Sequence, residues 1–324
     1  RPTSDILTPA NLPATLGADA PYENMGTIQT KGWELAIDYR HTFKNGLHFG
    51  VTASVADDKT EVTKWTYNTK IPSYGATGWW DKSAYKEGMV LGDIWGLQFD
   101  RFLTEDDFNA DGSLKAGLPD QTKVFPAGYQ FAPGDVLYKD LDNNGEIVKQ
   151  TNTNDKGDLS VIGNALPRLQ FGLNLDAAWK GFDISMFFQG VAKRKLWAAG
   201  NQVLPGFTTG EPFYKGAEDY WTPENTDAFY PRPMDYKQSA SGNYSVNDRY
   251  LLNMAYLRLK TFTVGYSLPK VWLSKFKVQG LRVYFTGENL FTIDGVKPAI
   301  DPEIGIRTAS GKSDQRNFGR SYPY

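Results

Sequence analysis

Asp140, Asp142, Asn144, Gly145 and Glu146 form a run with metal-ligand spacing. Hard oxygens at alternate positions, with glycine for a sharp turn, suit the start of a Ca²⁺ loop, D-x-[DN]-x-[DN]-G. The twelfth position is Thr151 rather than a bidentate glutamate, and no helical pattern flanks the run. An Asx-rich turn therefore competes with the cation reading, while Asp155 and Asp158 could complete a looser cage. His41 and His48 suggest a shared metal, but the hairpin register derived below sends them to opposite faces. Trp79, Trp80, Trp95, Trp197 and Trp221 fall in or near loops and strand rims, where aromatic faces can stack on sugars or pack against a partner. Trp79 and Trp80 are the expected substrate contacts. The chain has no cysteine, so thiolate sites and cysteine nucleophiles are excluded. It also lacks G-x-S-x-G, H-E-x-x-H and a P-loop. Nothing in the sequence points to covalent catalysis.

The elements that would position these residues are strands. Between Leu169 and Trp179 the odd positions are apolar (Leu169, Phe171, Leu173, Leu175, Ala177, Trp179), and after Lys180-Gly181 the apolar set moves to Phe182, Ile184, Met186 and Phe188. Period two with this phase change predicts a two-residue hairpin, with Trp179 opposite Phe182, Ala177 opposite Ile184 and Leu175 opposite Met186. Leu169 to Trp179 is eleven residues, about the length of a strand crossing a bilayer. Aromatics at its tip match a membrane girdle.

A second pair sets Leu35, Ile37, Tyr39 and Phe43 against Leu47, Phe49, Val51, Ala53 and Val55. The unchanged phase requires an odd loop, Lys44-Asn45-Gly46, with Gly46 in a bulge position and Tyr39 facing Val51. A third joins residues 255–268 to 281–293, with a phase slip near Lys260 that predicts a bulge. Residues 1–27 read as an external loop. Strand direction then requires either no membrane strand or an even number in 66–165. The runs 89–103 and 124–139 either pair in the wall or both belong to an external excursion.

Totals agree with this reading. Formal charge is −2, with 35 Lys and Arg against 37 Asp and Glu, so no basic footprint for nucleic acid exists. Mean hydropathy is −0.47, which a barrel tolerates because half of each strand faces a wet lumen. The start, RPTSDILTPANLP, carries no signal peptide, and a piece of a longer chain is expected.

Six ordered blocks carry a resemblance over nearly the whole chain: MGTIQTKGWELAIDYR, PGDVLYKDLDNNGEI, VIGNALPRLQFGLNLDAAWKGFDISMFFQG, DYWTPENTDAFYPR, YLRLKTFTVGYSLP and LRVYFTGENLFTI. They resemble the C-terminal part of SusC/RagA-type TonB-dependent transporters of Bacteroidetes outer membranes. The resemblance implies an all-β fold: a transmembrane antiparallel barrel of 22 strands around a plug, with long external loops. Residues 1–324 would be its C-terminal portion, with the plug, the earlier strands and the last strand outside this stretch. It implies import of an oligosaccharide or peptide under a SusD-like lipoprotein lid, driven by TonB–ExbB–ExbD through the plug, and a dimer of transporter–lipoprotein pairs. Two other readings stand beside it. A secreted β-sandwich that binds or hydrolyses carbohydrate would bury Leu173 and Phe188 in its core. A structural or secretion-associated barrel would import nothing.

Overall fold

The computed structural model describes residues 1–9, 21–66, 87–149, 156–197, 203–206, 217–234, 242–296 and 300–303. The strands run in chain order as β1 (Pro2–Pro9), β2 (Tyr22–Thr42), β3 (His48–Trp65), β4 (Asp93–Gly96), β5 (Phe99–Phe102), β6 (Val136–Tyr138), β7 (Ser160–Asn164), β8 (Arg168–Trp179), β9 (Phe182–Lys193), β10 (Lys195–Leu196), β11 (Leu252–Asn253), β12 (Tyr256–Ser267) and β13 (Arg282–Asp294). Seven of them form one antiparallel sheet in the order β1-β2-β3-β8-β9-β12-β13. This is a length of barrel wall, and the sheet is not closed. No helix among the described residues is long and apolar enough to cross a membrane, which says nothing about crossing by strands.

The period-two pattern dictates the register. Trp179 pairs with Phe182, Ala177 with Ile184 and Leu175 with Met186. Lys180 and Gly181 both have positive φ, 48° and 88°, the pairing of conformations that matches strand twist in a two-residue turn. Tyr39 pairs with Val51, and Gly46, at φ 79°, closes the three-residue turn. The ladder shifts between Leu259 and Thr261 on both sides of β12, so Lys260 is the expected bulge. Residues 1–27 depart from the loop reading: Pro2–Pro9 is a strand paired to Tyr22–Gln29, with two register shifts. Its prolines and missing alternation conceal it.

β3 pairs directly with β8, Val51 with Leu175, so none of the described strands within 66–165 enters the wall. Phe99–Phe102 does pair with Val136–Tyr138, but as a separate two-stranded sheet, like β4 with β7. The described part of the excursion lies outside the wall.

Burial divides the molecule in two. Leu35 and Ile37 are 52% and 58% exposed, and none of Val51, Leu173, Leu175, Ile184, Met186, Phe188, Val264 or Phe285 is buried. The buried clusters lie in the long excursions and the upper strand ends, around Leu97, Val136, Tyr138, Ile147 and Trp221, and around Leu204, Tyr230, Tyr250 and Met254. An apolar face left uncovered by a second sheet removes the sandwich reading and fits a wall bathed in lipid.

Candidate functional site

The sheet's polar face and the dome of loops above it form the candidate passage. On the polar face, Thr52 donates to Asp38 at 2.6 Å, and Arg40 reaches the same carboxylate at 3.3 Å. Lower down, His48 Nδ1 lies 3.0 Å from Thr42 Oγ1, and its Nε2 lies 3.8 Å from Asp176. Gly50 makes room for that carboxylate, since a Cβ there would stand 2.5 Å from an Asp176 oxygen. Arg282 donates to Asp183 from β13 at 3.0 Å and lies 5.0 Å from the Tyr284 ring. By register, Phe187, Tyr284 and Glu288 share this face. The result is a ladder of mostly paired charges along the polar face of the sheet.

The two histidines separate as the register requires. His41 sits edge-on to Phe43 at 4.6 Å on the apolar face, while His48 stays with Asp176 on the polar one.

In the dome, Arg101 makes a two-pronged pair with Asp107 at 2.6 and 2.7 Å, and the Thr104 N–H also donates to Asp107 at 2.8 Å. The guanidinium holds the Asp107 carboxyl down at about 2. Asp135 is wholly buried; Arg232 and the Asn243 amide both donate to it, at 2.8 and 3.0 Å. Trp221 is buried, and Trp95 and Trp197 pack against the clusters, so these three serve packing. Trp79 and Trp80 lie outside the described residues.

The calcium-like run contains Asx turns. Asp140 accepts from the Gly145 N–H at 2.8 Å, Asp142 from the Asn144 N–H at 3.1 Å, and Asn144 Oδ1 from the Glu146 N–H at 2.7 Å. Glu146 turns to Lys123, with which it forms an ion pair. The three carboxylates that converge, with ligand atoms within 4.8 Å of one another, are Asp140, Asp142 and the buried Asp158. A hard cation in this loop would meet the carboxylates of Asp140, Asp142 and Asp158 together, while Glu146 is engaged by Lys123. Thr151 and Asp155 lie outside the described residues.

A further buried cluster has no local signal in the sequence. Arg258 of β12 donates to Asp301 and Glu303, each at 2.7 Å, and Lys260 reaches Glu303 at 2.7 Å. Arg194 donates to the Pro302 carbonyl at 3.1 Å. The segment 300–303 is thus strapped to the upper ends of β9 and β12. An apolar residue before Asp-Pro-Glu gives no period to read.

An antiparallel wall with short turns at one end and a packed dome at the other defines the class: part of an outer-membrane-type β-barrel. No family model matches the chain. The TonB-dependent receptor P3 of Formosa agariphila is 27% identical over 329 residues, covering 99% of this chain and 30% of that receptor. The TonB-dependent receptor SusC of Bacteroides thetaiotaomicron is 22% identical over 94% of this chain and 27% of its own length. Among solved structures, the RagAB peptide importer in the open-open state superposes with a TM-score of 0.62 at 17% identity, over 94% of this chain and 29% of that one. The RagAB peptide transporter gives a TM-score of 0.60 at 17% identity, over 91% of this chain and 29% of that one. The chain is similar to the C-terminal barrel part of SusC/RagA-type TonB-dependent receptors, and it spans about 30% of the length of the curated receptor P3.

Proposed function

We propose that this stretch forms wall and external vestibule of an energy-coupled importer that moves an oligosaccharide or a peptide across the outer membrane. The carrying observation is the division of surfaces: an uncovered apolar band outside, a ladder of paired charges inside, and a buried dome at one end only. No step of this reading needs a bond made or broken. The dome and a SusD-like lipoprotein would capture the solute. TonB–ExbB–ExbD, acting through the plug, would open the lumen, and transporter–lipoprotein pairs would associate as dimers. The names of SusC and of RagAB support the class of import and do not choose between sugar and peptide.

Deleting the gene for the full receptor, then restoring it with and without functional TonB, tests this. Growth on one substrate class, tried as oligosaccharide mixtures and as peptide digests, should fail in the deletion and in the TonB-deficient strain. Unchanged growth on both classes would overturn import and favour a structural or secretion-associated barrel.

A further inference from the structure

The short-turn end of the wall carries Lys44, Lys180, Lys270, Lys275 and Lys277. No Asp or Glu occurs in residues 43–47, 179–182 or 268–281, although the whole chain has a net charge of −2. All five lysines are exposed. The three connections form one continuous rim: the Trp179 indole donates to the Asn45 carbonyl at 3.3 Å, and the Ser267 N–H donates to the Gly181 carbonyl at 2.8 Å.

Apolar groups are interleaved with the lysines. The connection after β12 begins with a helical turn, α1 (Lys270–Leu273), in which Leu273 is buried while Val271 and Trp272 are 76% and 59% exposed. The Lys180 ammonium lies over the Trp179 ring at 4.6 Å. Lys180 and Lys277 both occupy left-handed backbone, at φ 48° and 54°, where glycine would be cheaper. Backbone demand therefore does not explain a lysine at either position.

The rim continues directly from the lipid-facing face. Phe182 packs on Tyr266 at 4.4 Å between ring centres, one rung above the Lys180-Gly181 turn. Aromatic and basic side chains at this level are the combination that settles at a membrane–water interface, with lysine stems along apolar surface and ammonium groups among headgroups. A soluble acidic partner would leave Val271 and Trp272 unexplained.

We infer that this rim binds anionic phospholipid headgroups of the periplasmic leaflet, through Lys180, Lys270, Lys275 and Lys277 set around Val271 and Trp272. The inference rests on the barrel wall and on its short turns facing the periplasm, not on which solute is carried.

The test uses the full receptor in nanodiscs mixing phosphatidylglycerol and phosphatidylcholine, with retained lipids counted by native mass spectrometry. The wild type should retain phosphatidylglycerol preferentially. That preference should fall at least about fivefold in the variant Lys180→Gln/Lys270→Gln/Lys275→Gln/Lys277→Gln. Raising salt to about 0.5 M should erode the wild-type preference in the same way, without any variant. Trp272→Ser should weaken retention of both lipids and leave the preference unchanged. Equal retention of the two lipids by the wild type would overturn the inference, and so would a folded quadruple variant that keeps the preference. Loss of uptake with lipid preference intact would assign the lysines to an acidic periplasmic protein instead. Lipid retention is read independently of transport, so failure of the import reading would not be mistaken for failure here.

Discussion

The Arg258 guanidinium meets the Asp301 carboxylate at 2.7 Å, with the two side chains only 4% and 6% exposed. Glu303 shares the same guanidinium at 2.7 Å. A pair this dry adds little net stability over an apolar substitute, yet breaking it leaves a buried charge unpaired.

Arg258→Met should therefore destabilise the upper wall by about 3 kcal/mol and expose the chain near residue 303 to protease. Arg258→Met combined with Asp301→Asn should recover part of that loss. Thermal unfolding of the detergent-solubilised full receptor and a timed digest check both outcomes.

The dome should loosen in acid. Arg101 holds Asp107 at about 2, below the ordinary carboxylate value of 3.8. A lowered folded value means that the bond's contribution is fully present above about pH 4 and is lost as pH falls toward 2. Because Arg101 is partly exposed, the contribution is about 1 kcal/mol. Protease sensitivity of residues 99–138 should rise between pH 4 and pH 2 in the wild type, measured with an acid-stable protease. Asp107→Asn should show the raised sensitivity already at pH 7.

Leu175 sits mid-wall between Val51 and Met186, on the lipid side. Leu175→Arg should cost about 2–4 kcal/mol, whereas Asn174→Arg, one residue away on the polar face, should stay within about 1 kcal/mol. Urea titration of the full receptor folded into lipid vesicles distinguishes the two. Equal costs would mean that both faces are wet.

Asp158 receives the N–H groups of Leu141 and Val148, both at 2.8 Å, while fully buried. Asp158→Ala should cost about 2 kcal/mol by leaving the buried Val148 N–H and the half-buried Leu141 N–H without that partner. Calcium can be read in the same melting experiment. A saturable rise that vanishes in Asp142→Asn assigns a cation to Asp140, Asp142 and Asp158. A melting temperature that ignores calcium assigns the loop to its own hydrogen bonds.

Local features of the wall could be read directly from the sequence. The phase change at Lys180-Gly181 determined that Trp179 faces Phe182, the unbroken phase around Lys44–Gly46 determined that Tyr39 faces Val51, and the slip at Lys260 marked the bulge. Each follows from side chains alternating between two solvents, which leaves a period of two wherever one face is apolar. The tertiary structure alone decided that β3 leaves its hairpin to pair with β8 and that Phe99–Phe102 meets Val136–Tyr138 outside the wall. It also decided that Asp158 lies beside Asp140 and Asp142, and that Arg258 finds Asp301 and Glu303. Those partners lie far apart in the chain and leave no period. Which of them meet depends on the packing of the dome, where apolar residues are buried on all sides and polar ones seek whatever partner remains within reach.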